Sequence, residues 1–568
     1  MIDNGVLPLF LYANVMMQPQ AITKTTAEIL PFSRLDIAFA RFLSQRTTLD
    51  NDAQKQVFEL LKKLSYQHNQ GHSCILLDED DKALIIASGL ATFCPDETVT
   101  LSPLVVEQNR LYLQRYWDYE NRLTQQIKAI ASHHPVAEPL DELLDVYFGK
   151  PTNEPDWQRE AARMAVQQSF SIITGGPGTG KTTTVVKILA VLQALAEQPL
   201  LIALAAPTGK AAMRLQESIG FNKTMLPCSD AIKSLIPETV TTLHRLLGAK
   251  PDSPYFKHHA NHPLVHDLVV VDEASMVDLA LMSKLLDALK PSARLILLGD
   301  KDQLASVESG AVLADLTQAL PEHTVELKIA HRFDENIKQL AVAVNEQKAE
   351  AAWQFLTSGN ENTLLLEGDL IAYIAAQQAA YLKLIQQGAD FTEIYSVFNR
   401  FQVLCSNREG KNSVADINSR VEQKLAQQGR IQVAGQWYVG RPVLVTQNNP
   451  TLHLYNGDIG LCLADKNQGG KLMVFFQRPD GSVKSYLPSR IAQCETVFAM
   501  TIHKSQGSEF EEVLIVLPDS INPVLTKELL YTAITRAKKT VKLVADKVVF
   551  TATIEQKVAR VTGLVNKF

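Results

Sequence analysis

A glycine-rich segment at residues 175–182 constrains the fold of this chain more than any other feature. Its sequence, Gly-Gly-Pro-Gly-Thr-Gly-Lys-Thr, fits the pattern G-x-x-x-x-G-K-[ST]. The segment follows the apolar run Phe170–Ile173 and precedes a helical pattern over Thr183–Leu195. In that context the glycines let backbone N–H groups face phosphate groups, and the helix N-terminus adds partial positive charge. The segment therefore predicts a phosphate-binding loop within an α/β fold.

The residues of this loop have distinct predicted roles. Lys181 is expected to reach the β- and γ-phosphates of a nucleotide, and the Thr182 hydroxyl is expected to bind Mg²⁺. The predicted nucleotide-binding residues are Gly175, Gly176, Pro177, Gly178, Thr179, Gly180, Lys181, Thr182 and Thr183.

A pair of carboxylates follows a strongly apolar run further along the chain. Asp272 and Glu273 end the segment that begins Leu268-Val269-Val270-Val271. A carboxylate at the C-terminal end of a buried strand beside a phosphate loop is well placed to hold Mg²⁺. Asp272 is therefore the predicted carboxylate ligand of the metal ion. Glu273 is predicted to orient and deprotonate the attacking water.

Size, charge and cysteine pattern limit the class of protein. A length of 568 residues suggests about three to four domains. With 55 basic and 61 acidic residues, the net charge of −6 provides no global basic field, so any nucleic acid must bind in a local groove. The scattered cysteines form no C-x-x-C pair. The N-terminus lacks the basic start of a signal peptide, and no run approaches about 20 apolar residues. We therefore expect a cytoplasmic protein with no membrane partner.

Residues 1–150 carry no catalytic motif and form a predicted N-terminal domain that is mainly helical. Gln54–Tyr66 has apolar residues at helical spacing, and Arg110–Ile127 is a second predicted helix, rich in aromatic residues. Two interpretations remain open for these helices, an internal core and a docking surface for a partner subunit. A loop with three prolines between residues 139 and 155 marks the boundary of this domain.

Short apolar strands that alternate with helical segments follow this boundary. This alternation predicts a parallel sheet in a first α/β domain at residues 151–345, and a second such pattern covers residues 346–430 and 495–568. Between the two parts of the second domain, residues 431–494 have short strands and glycine turns, which predict a small inserted β-barrel. Pro479-Asp480-Gly481 is a hairpin turn signal in this insertion.

The motifs of the chain occur in a recognisable order. They are WQ, GGPGTGKTTT, APTGKAAMRL, TLHRLLG, VVVDEASMVD, LLGDKDQLASVESGAVLADL, AHRF, MTIHKSQGSEF and YTAITRAK. In this order they resemble superfamily 1 DNA helicases of the 5′-to-3′ subclass. The phrases LYLQRYWDYE, LHLYNGDIG and PSR and the short N-terminal region more closely resemble the RecD subunits of exodeoxyribonuclease V, the RecBCD complex.

The resemblance implies two RecA-like domains that bind ATP between them, with an SH3-like inserted barrel and a small insertion at about 249–265 in the first domain. It implies that Gln158 contacts adenine, whose donor and acceptor edge a glutamine amide can match. Gln303 would sense the γ-phosphate, while Arg332 and Arg536 would approach it across the cleft and stabilise its developing charge.

A DNA track is predicted from small polar donors that follow strands. Such residues can hold phosphates without reading sequence, as a motor that passes over every base requires. The predicted DNA-binding residues are Thr208, Lys210, Thr242, His244, His503 and Gln506. Phe401, Trp437, Tyr438 and Tyr455 are candidates for base stacking, although core packing is the more common role of such residues.

The resemblance further implies RecB-like and RecC-like partners in a heterotrimer that processes DNA double-strand breaks. We find no nuclease motif, so another subunit is expected to carry that chemistry. Three alternatives remain open: a stand-alone helicase, a structural subunit with a vestigial ATPase, and a P-loop switch without motor function. The complete set of ATPase residues and the second α/β domain disfavour the last two.

Overall fold

The computed structural model describes residues 32–94, 102–133, 140–152, 154–250, 253–306, 308–329, 334–449, 451–478 and 481–568. Two sequence-based predictions lie outside these residues: the γ-phosphate contact of Arg332 and the hairpin turn at Pro479-Asp480.

The N-terminal region combines helices with a small sheet. Its elements are α1 (Arg34–Ser44), α2 (Asn51–Asn69), β1 (Cys74–Leu76), α3 (Glu79–Ala87), β2 (Ala91–Cys94), β3 (Leu104–Glu107), β4 (Arg110–Leu113), α4 (Gln114–Ala131) and α5 (Leu140–Phe148). The predicted apolar stripe of α2 is buried and packs against α1 and the small sheet. The strands of this sheet have the order β1-β4-β3-β2. This four-stranded sheet was not predicted, because its strands of three or four residues are too short for a clear period-2 pattern.

The first α/β domain contains a six-stranded sheet in the order β10-β5-β9-β8-β6-β7, and all its strands are parallel. Its elements are α6 (Trp157–Gln167), β5 (Phe170–Thr174), α7 (Lys181–Leu195), β6 (Ile202–Ala206), α8 (Gly209–Thr224), α9 (Asp230–Leu235), β7 (Val240–Thr242), α10 (Leu243–Leu247), β8 (Leu268–Val271), α11 (Leu279–Asp287), β9 (Arg294–Gly299), α12 (Val312–Ala319) and β10 (Thr324–Glu326). The central strands are buried and mostly apolar because helices cover both faces of the sheet. The predicted parallel sheet is confirmed.

Helix α4 belongs to the core of this first sheet. Its residues Leu123, Ile127 and Ile130 are buried in the same apolar cluster as the strand residues Val269 and Leu295. For this helix the structure supports the core interpretation of the aromatic-rich segment. A role of the N-terminal region in partner docking stays a prediction.

The second α/β domain contains a five-stranded parallel sheet in the order β11-β20-β19-β12-β18. The elements that follow the first domain are α13 (Glu335–Asn345), α14 (Ala349–Thr357), β11 (Thr363–Leu365), α15 (Leu370–Gln387), α16 (Phe391–Phe398), β12 (Phe401–Cys405), α17 (Val414–Gln427), β13 (Pro442–Val445), β14 (Ile459–Asp465), β15 (Lys471–Gln477), β16 (Val483–Tyr486), β17 (Cys494–Thr496), β18 (Ala499–Thr501), β19 (Phe510–Val516), α18 (Lys527–Ile534), β20 (Ala537–Val544) and α19 (Lys547–Glu555).

The inserted segment is an antiparallel sheet in the order β16-β15-β14-β13-β17. One face of this sheet packs on its own small apolar cluster, which includes Val443, Cys462 and Phe476. Gly460 is required in β14 because a Cβ atom there would lie 2.7 Å from the Phe476 ring. The strands and their place in the chain agree with the predicted insertion, and closure into an SH3-like barrel stays a prediction.

Candidate active site

The phosphate loop lies between the end of β5 and the start of α7, as its sequence predicts. A Cβ atom at Gly175 would lie 2.8 Å from both the Leu327 carbonyl oxygen and the Thr179 hydroxyl. A Cβ atom at Gly180 would lie 2.6 Å from the Gln158 amide nitrogen. Larger residues at these positions would displace the loop. The Gln158 amide nitrogen also donates to the Thr179 carbonyl at 3.4 Å, so the predicted adenine-contacting residue lies at the loop.

Lys181 points into the concave side of this loop. Its Nζ atom donates to the carbonyl oxygens of Gly175 at 2.6 Å and Gly176 at 3.0 Å. Thr182 lies in the first turn of α7, which has no side-chain cap. The Thr183 hydroxyl donates to Asn222 of α8 at 2.9 Å, so only the backbone of Thr183 is available to a phosphate in this arrangement.

The two predicted carboxylates follow β8. Glu273 has a φ of +51°, in the left-handed region that non-glycine residues rarely adopt and that is often found at functional sites. Its N–H group donates to Asp272 Oδ1 at 2.9 Å. Burial and the Glu273 carboxylate raise the pKa of Asp272 to about 7, against the opposing charge of Lys181. Asp272 is half-buried, and a nearby cation would stabilise its charged form.

The donor set around Asp272 fits Mg²⁺. This ion prefers oxygen ligands and usually binds through one or two carboxylates plus substrate phosphates. Among the described residues, no group of three or more His, Cys, Asp or Glu side chains forms an all-protein metal site. Asp272 and the Thr182 hydroxyl are thus suited to hold Mg²⁺ together with a nucleotide.

Gln303 lies at the junction of the two α/β domains. Its amide nitrogen donates to Asp300 Oδ2 at 2.9 Å, and the hydroxyl of Tyr531 from α18 donates to the same oxygen at 3.1 Å. The Tyr531 hydroxyl also lies 3.1 Å from the position of a Cβ atom at Gly176. Tyr531 therefore joins the second domain to the phosphate loop of the first. Asp300 and Tyr531 were not predicted, although both lie in motifs that were recognised for Gln303 and Arg536.

Asp300 is 2% exposed, and burial raises its pKa to about 6. A raised pKa means that the folded state holds this proton more tightly than the unfolded state. The carboxylate therefore lowers stability above pH 6, and this cost disappears as the pH falls towards the ordinary pKa of 3.8.

We expect Asp300→Asn to stabilise the protein at pH 8 by less than about 3 kcal/mol, because the amide removes the buried charge. Part of this gain is lost, since both carboxylate oxygens accept hydrogen bonds and the amide NH2 group replaces one of them. At pH 4.5 the gain should largely disappear. Thermal unfolding midpoints of the variant and the parent protein at the two pH values measure this difference. A stabilisation equal at both pH values would contradict the assignment.

Gln506 also lies at the junction. Its amide nitrogen donates to the Leu304 carbonyl at 2.9 Å, and the Leu304 N–H donates to the Thr532 hydroxyl at 2.9 Å. Gln506 is 8% exposed, and its amide forms a hydrogen bond between the two domains. Its predicted contact with DNA stays a prediction.

Arg536 is buried on the second-domain side of the cleft, with 3% exposure. Its guanidinium donates to the carbonyl oxygens of Thr532 at 3.1 Å and Ser508 at 3.3 Å. Arg214 of α8 lies opposite, 4.0 Å from Glu509. Burial is the main cause that lowers the pKa of Arg214, and the charge of Arg536 adds to it. Arg214 was not predicted, although it lies in the APTGKAAMRL motif.

The predicted DNA track places two threonine hydroxyls at helix N-termini. Thr208 accepts from the N–H of Ala211 at the start of α8, and Thr242 accepts from the N–H of Arg245 at the start of α10. Their acceptor function is thus used within the chain, and their predicted role in holding phosphates stays a prediction. Each hydroxyl keeps its proton to donate.

Lys210 and the two histidines of the predicted DNA track lie in different environments, which affects their pKa values. Burial lowers the pKa of Lys210 to about 7, with Arg214 as a second cause. His244 is exposed, and its ring centre lies 5.7 Å from that of Phe256. Burial, followed by the charge of Arg560, lowers the pKa of His503, which favours the neutral ring.

The candidate stacking residues divide into two groups. Phe401 and Tyr438 are buried in the core of the second domain and cannot stack on bases. Trp437 is half-buried, with the Arg441 guanidinium 4.8 Å from its ring centre. Tyr455 is half-buried against the start of α8, where a Cβ atom at Gly209 would lie 3.3 Å from its ring.

Known families match three parts of the chain. Residues 31–101 match the N-terminal domain of RecBCD enzyme subunit RecD, residues 158–309 match an AAA domain, and residues 496–544 match the UvrD-like helicase C-terminal domain. None of the helices among the described residues combines the length and apolar composition that crossing a bilayer requires.

Similar proteins have been named in several bacteria. The RecBCD enzyme subunit RecD of Mycolicibacterium smegmatis is 42% identical over 80% of this chain and 81% of that protein. The subunit of the same name from Haemophilus influenzae is 37% identical over 84% of this chain and 83% of its own length. The ATP-dependent RecD2 DNA helicase of Deinococcus radiodurans is 30% identical over 81% of this chain and 57% of that protein. With its P-loop, paired carboxylates and two parallel sheets in the expected order, this chain belongs to the RecD family of RecBCD enzyme subunits.

Proposed function

We propose that this chain is an ATP-dependent DNA helicase that moves 5′ to 3′ and acts as a motor subunit beside RecB-like and RecC-like subunits. The observation that carries the proposal is the position of Tyr531 and Thr532. These second-domain residues contact the phosphate loop and the segment after Gln303 in the first domain. A motor needs such contacts, because nucleotide binding and release must change how its two domains are held together. The names of the relatives, RecBCD enzyme subunit RecD, support the proposed partners. The role in processing double-strand breaks stays a prediction from the resemblance.

In this proposal the phosphate loop and Lys181 bind the β- and γ-phosphates, and Gln158 contacts the adenine. Thr182 and Asp272 hold Mg²⁺, which would neutralise charge on the phosphates. Glu273 orients the attacking water and accepts its proton. Gln303 contacts the γ-phosphate from the first domain and Arg536 contacts it from the second, and Arg332 also approaches it.

The domain division that we propose assigns residues 1–150 to partner docking and residues 151–345 to the first motor domain. Residues 346–430 and 495–568 form the second motor domain, with an SH3-like barrel at 431–494. Single-stranded DNA would cross both motor domains along Thr208, Lys210, Thr242, His244 and His503. A cytoplasmic location and a nuclease site on another subunit stay predictions from the sequence.

Strand separation tests the motor function and its direction. We expect the purified chain, with ATP and Mg²⁺, to unwind a duplex with a 5′ single-stranded tail and not one with a 3′ tail. A fluorophore and a quencher on opposite strands report the separation. A blunt duplex of the same sequence is the control.

The other outcomes distinguish the alternatives. Unwinding from the 3′ tail would refute the proposed direction. DNA-stimulated ATP hydrolysis without unwinding would indicate a motor that needs its partner subunits. The absence of both activities, with and without partners, would support a vestigial ATPase.

A further inference from the structure

The C-terminal tail, defined here as residues 556–568, returns from the second motor domain to the N-terminal region. It leaves α19 and pairs with the loop before β1, where the Ser73 N–H donates to the Val561 carbonyl at 3.1 Å. Near its end, Lys567 forms an ion pair with Glu107 of β3 at 2.6 Å. The tail thus connects three parts of the fold, because it passes over the first motor domain on the way.

Arg560 of this tail binds the segment that follows Gln303. Its Nη1 atom donates to the carbonyl oxygens of Gly310 at 2.7 Å and Glu308 at 3.1 Å, and its Nη2 atom donates to the Ser306 carbonyl. One side chain therefore binds three carbonyls of the segment that follows Gln303, which is described at residues 304–306 and 308–310 and is called the 304–310 loop below. Arg560 lies beyond residues 496–544, which match the UvrD-like domain.

The N-terminal region encloses the other side of this guanidinium. A Cβ atom at Gly71 would lie 3.0 Å from Arg560 Cζ, so a larger residue there would displace the guanidinium. Gly71 has a φ of +91°, and its carbonyl accepts from the Gly310 N–H at 3.0 Å. The Ser309 hydroxyl contacts His68 Nδ1 at 3.0 Å. The last turn of α2 and the turn after it therefore also hold this loop.

The beginning of the 304–310 loop is held by the body of the second motor domain. Leu304 is hydrogen-bonded on both sides of its peptide, to Thr532 through its N–H and to Gln506 through its carbonyl. The end of the loop is held by Arg560, which the same domain supplies through its tail. The first motor domain holds the same loop, because the Ser306 N–H donates to the Ser275 carbonyl and the Leu279 N–H donates to the Ser309 carbonyl, both at 3.1 Å. The loop therefore joins the two motor domains, and Gln303 directly precedes it.

We propose that Arg560 is a positioning residue that transmits movement of the second motor domain to Gln303 by holding the 304–310 loop at its far end. The inference rests on the motor function proposed above. A lysine cannot replace the arginine fully, because a planar guanidinium places several donors in a fixed fork and an ammonium is a compact point charge. Loss of the contact uncouples DNA binding from ATP turnover.

The test compares full-length Arg560→Ala, Arg560→Lys, Lys567→Ala and Lys557→Ala with the parent protein. Lys567→Ala loosens the attachment of the tail to β3 without touching the loop, and Lys557→Ala removes an exposed cation from the same tail. ATPase kcat and KM are measured with and without single-stranded DNA, and thermal unfolding is followed in parallel.

We expect Arg560→Ala to lower the ratio of DNA-stimulated to basal kcat about 10-fold, within the usual range of coupling between sites. Arg560→Lys should recover only part of this ratio. The two tail controls should keep it within about twofold, because independent contacts leave the coupling intact. Hydrogen exchange of the peptide containing residues 304–310 should rise in Arg560→Ala and stay unchanged in Lys567→Ala.

The outcomes separate this inference from the proposed function. A parent protein without DNA stimulation would refute the motor function and the inference together. DNA stimulation that is equal in the parent and Arg560→Ala would overturn the inference alone. Equal losses in Arg560→Ala and Lys567→Ala, or full recovery in Arg560→Lys, would also overturn it, since attachment of the tail or charge alone would then suffice.

Discussion

Lys181→Gln is expected to reduce ATP hydrolysis by at least about 10³-fold while the protein stays folded, comparable to the loss of one donor from a charge-stabilising site. The Nζ atom of Lys181 lies between the Gly175 and Gly176 carbonyls, within the loop where the phosphates are predicted to bind. Glutamine keeps a hydrogen-bond donor but removes the charge that stabilises the transferring phosphoryl group. Phosphate release at saturating single-stranded DNA measures the effect.

Lys187→Gln is the matched control for this prediction. Lys187 lies in the same helix, α7, and its ammonium lies 4.7 Å from the ring centre of Phe148, away from the loop. We expect the control to hydrolyse ATP like the parent protein. Hydrolysis that persists in Lys181→Gln would refute the assignment of the nucleotide site, and equal losses in both variants would indicate a general effect on α7.

Arg536→Ala is expected to lower kcat about 10³-fold, because an arginine that reaches the γ-phosphate across a cleft contributes about 10³–10⁵ to the rate. ATP binding should change much less, since the phosphate loop belongs to the other domain. Arg536 is bonded to the Thr532 and Ser508 carbonyls, so its removal also leaves buried acceptors without this donor, at about 1–3 kcal/mol. Thermal unfolding therefore has to be measured beside kcat and nucleotide affinity.

Two further variants control this second prediction. Arg536→Lys keeps the positive charge and should fold better than the alanine variant, yet it should remain strongly impaired because lysine lacks the fork of donors. Arg420→Ala removes an exposed arginine of α17 that pairs with Asp416, and it should be active. A normal kcat in Arg536→Lys would show that the fork is dispensable.

Local patterns were sufficient to predict where the glycine-rich loop and the acidic pair lie in the fold, and their binding of phosphate and Mg²⁺ stays a prediction. Strict requirements of backbone conformation and charge explain the glycines at 175 and 180, the lysine after them and the acidic pair after β8. The structure brings these residues to one edge of the sheet. The amphipathic stripe of α2 and the parallel strands were equally local signals. The short strands of the N-terminal sheet were missed because they span only three or four residues.

The contacts between distant segments could not be predicted in this way. Asp300 and Tyr531 share a hydrogen bond across 231 positions of chain, and no periodicity relates them. Arg560 reaches a loop about 250 positions away, and the aromatic helix α4 completes the core of a sheet that begins after it. Thr208 and Thr242 were recognised as polar donors, but only the tertiary structure shows that each hydroxyl oxygen caps the helix that follows it.

The sequence by itself determined the glycine-rich loop, the acidic pair after β8 and the two parallel sheets, because glycine geometry, charge and hydrophobic alternation act over a few neighbouring residues. The tertiary structure alone decided which side chains meet across the cleft and where the C-terminal tail lies. Those contacts depend on the packing of whole domains, since each side chain gains its partner only when two separately folded surfaces are brought together.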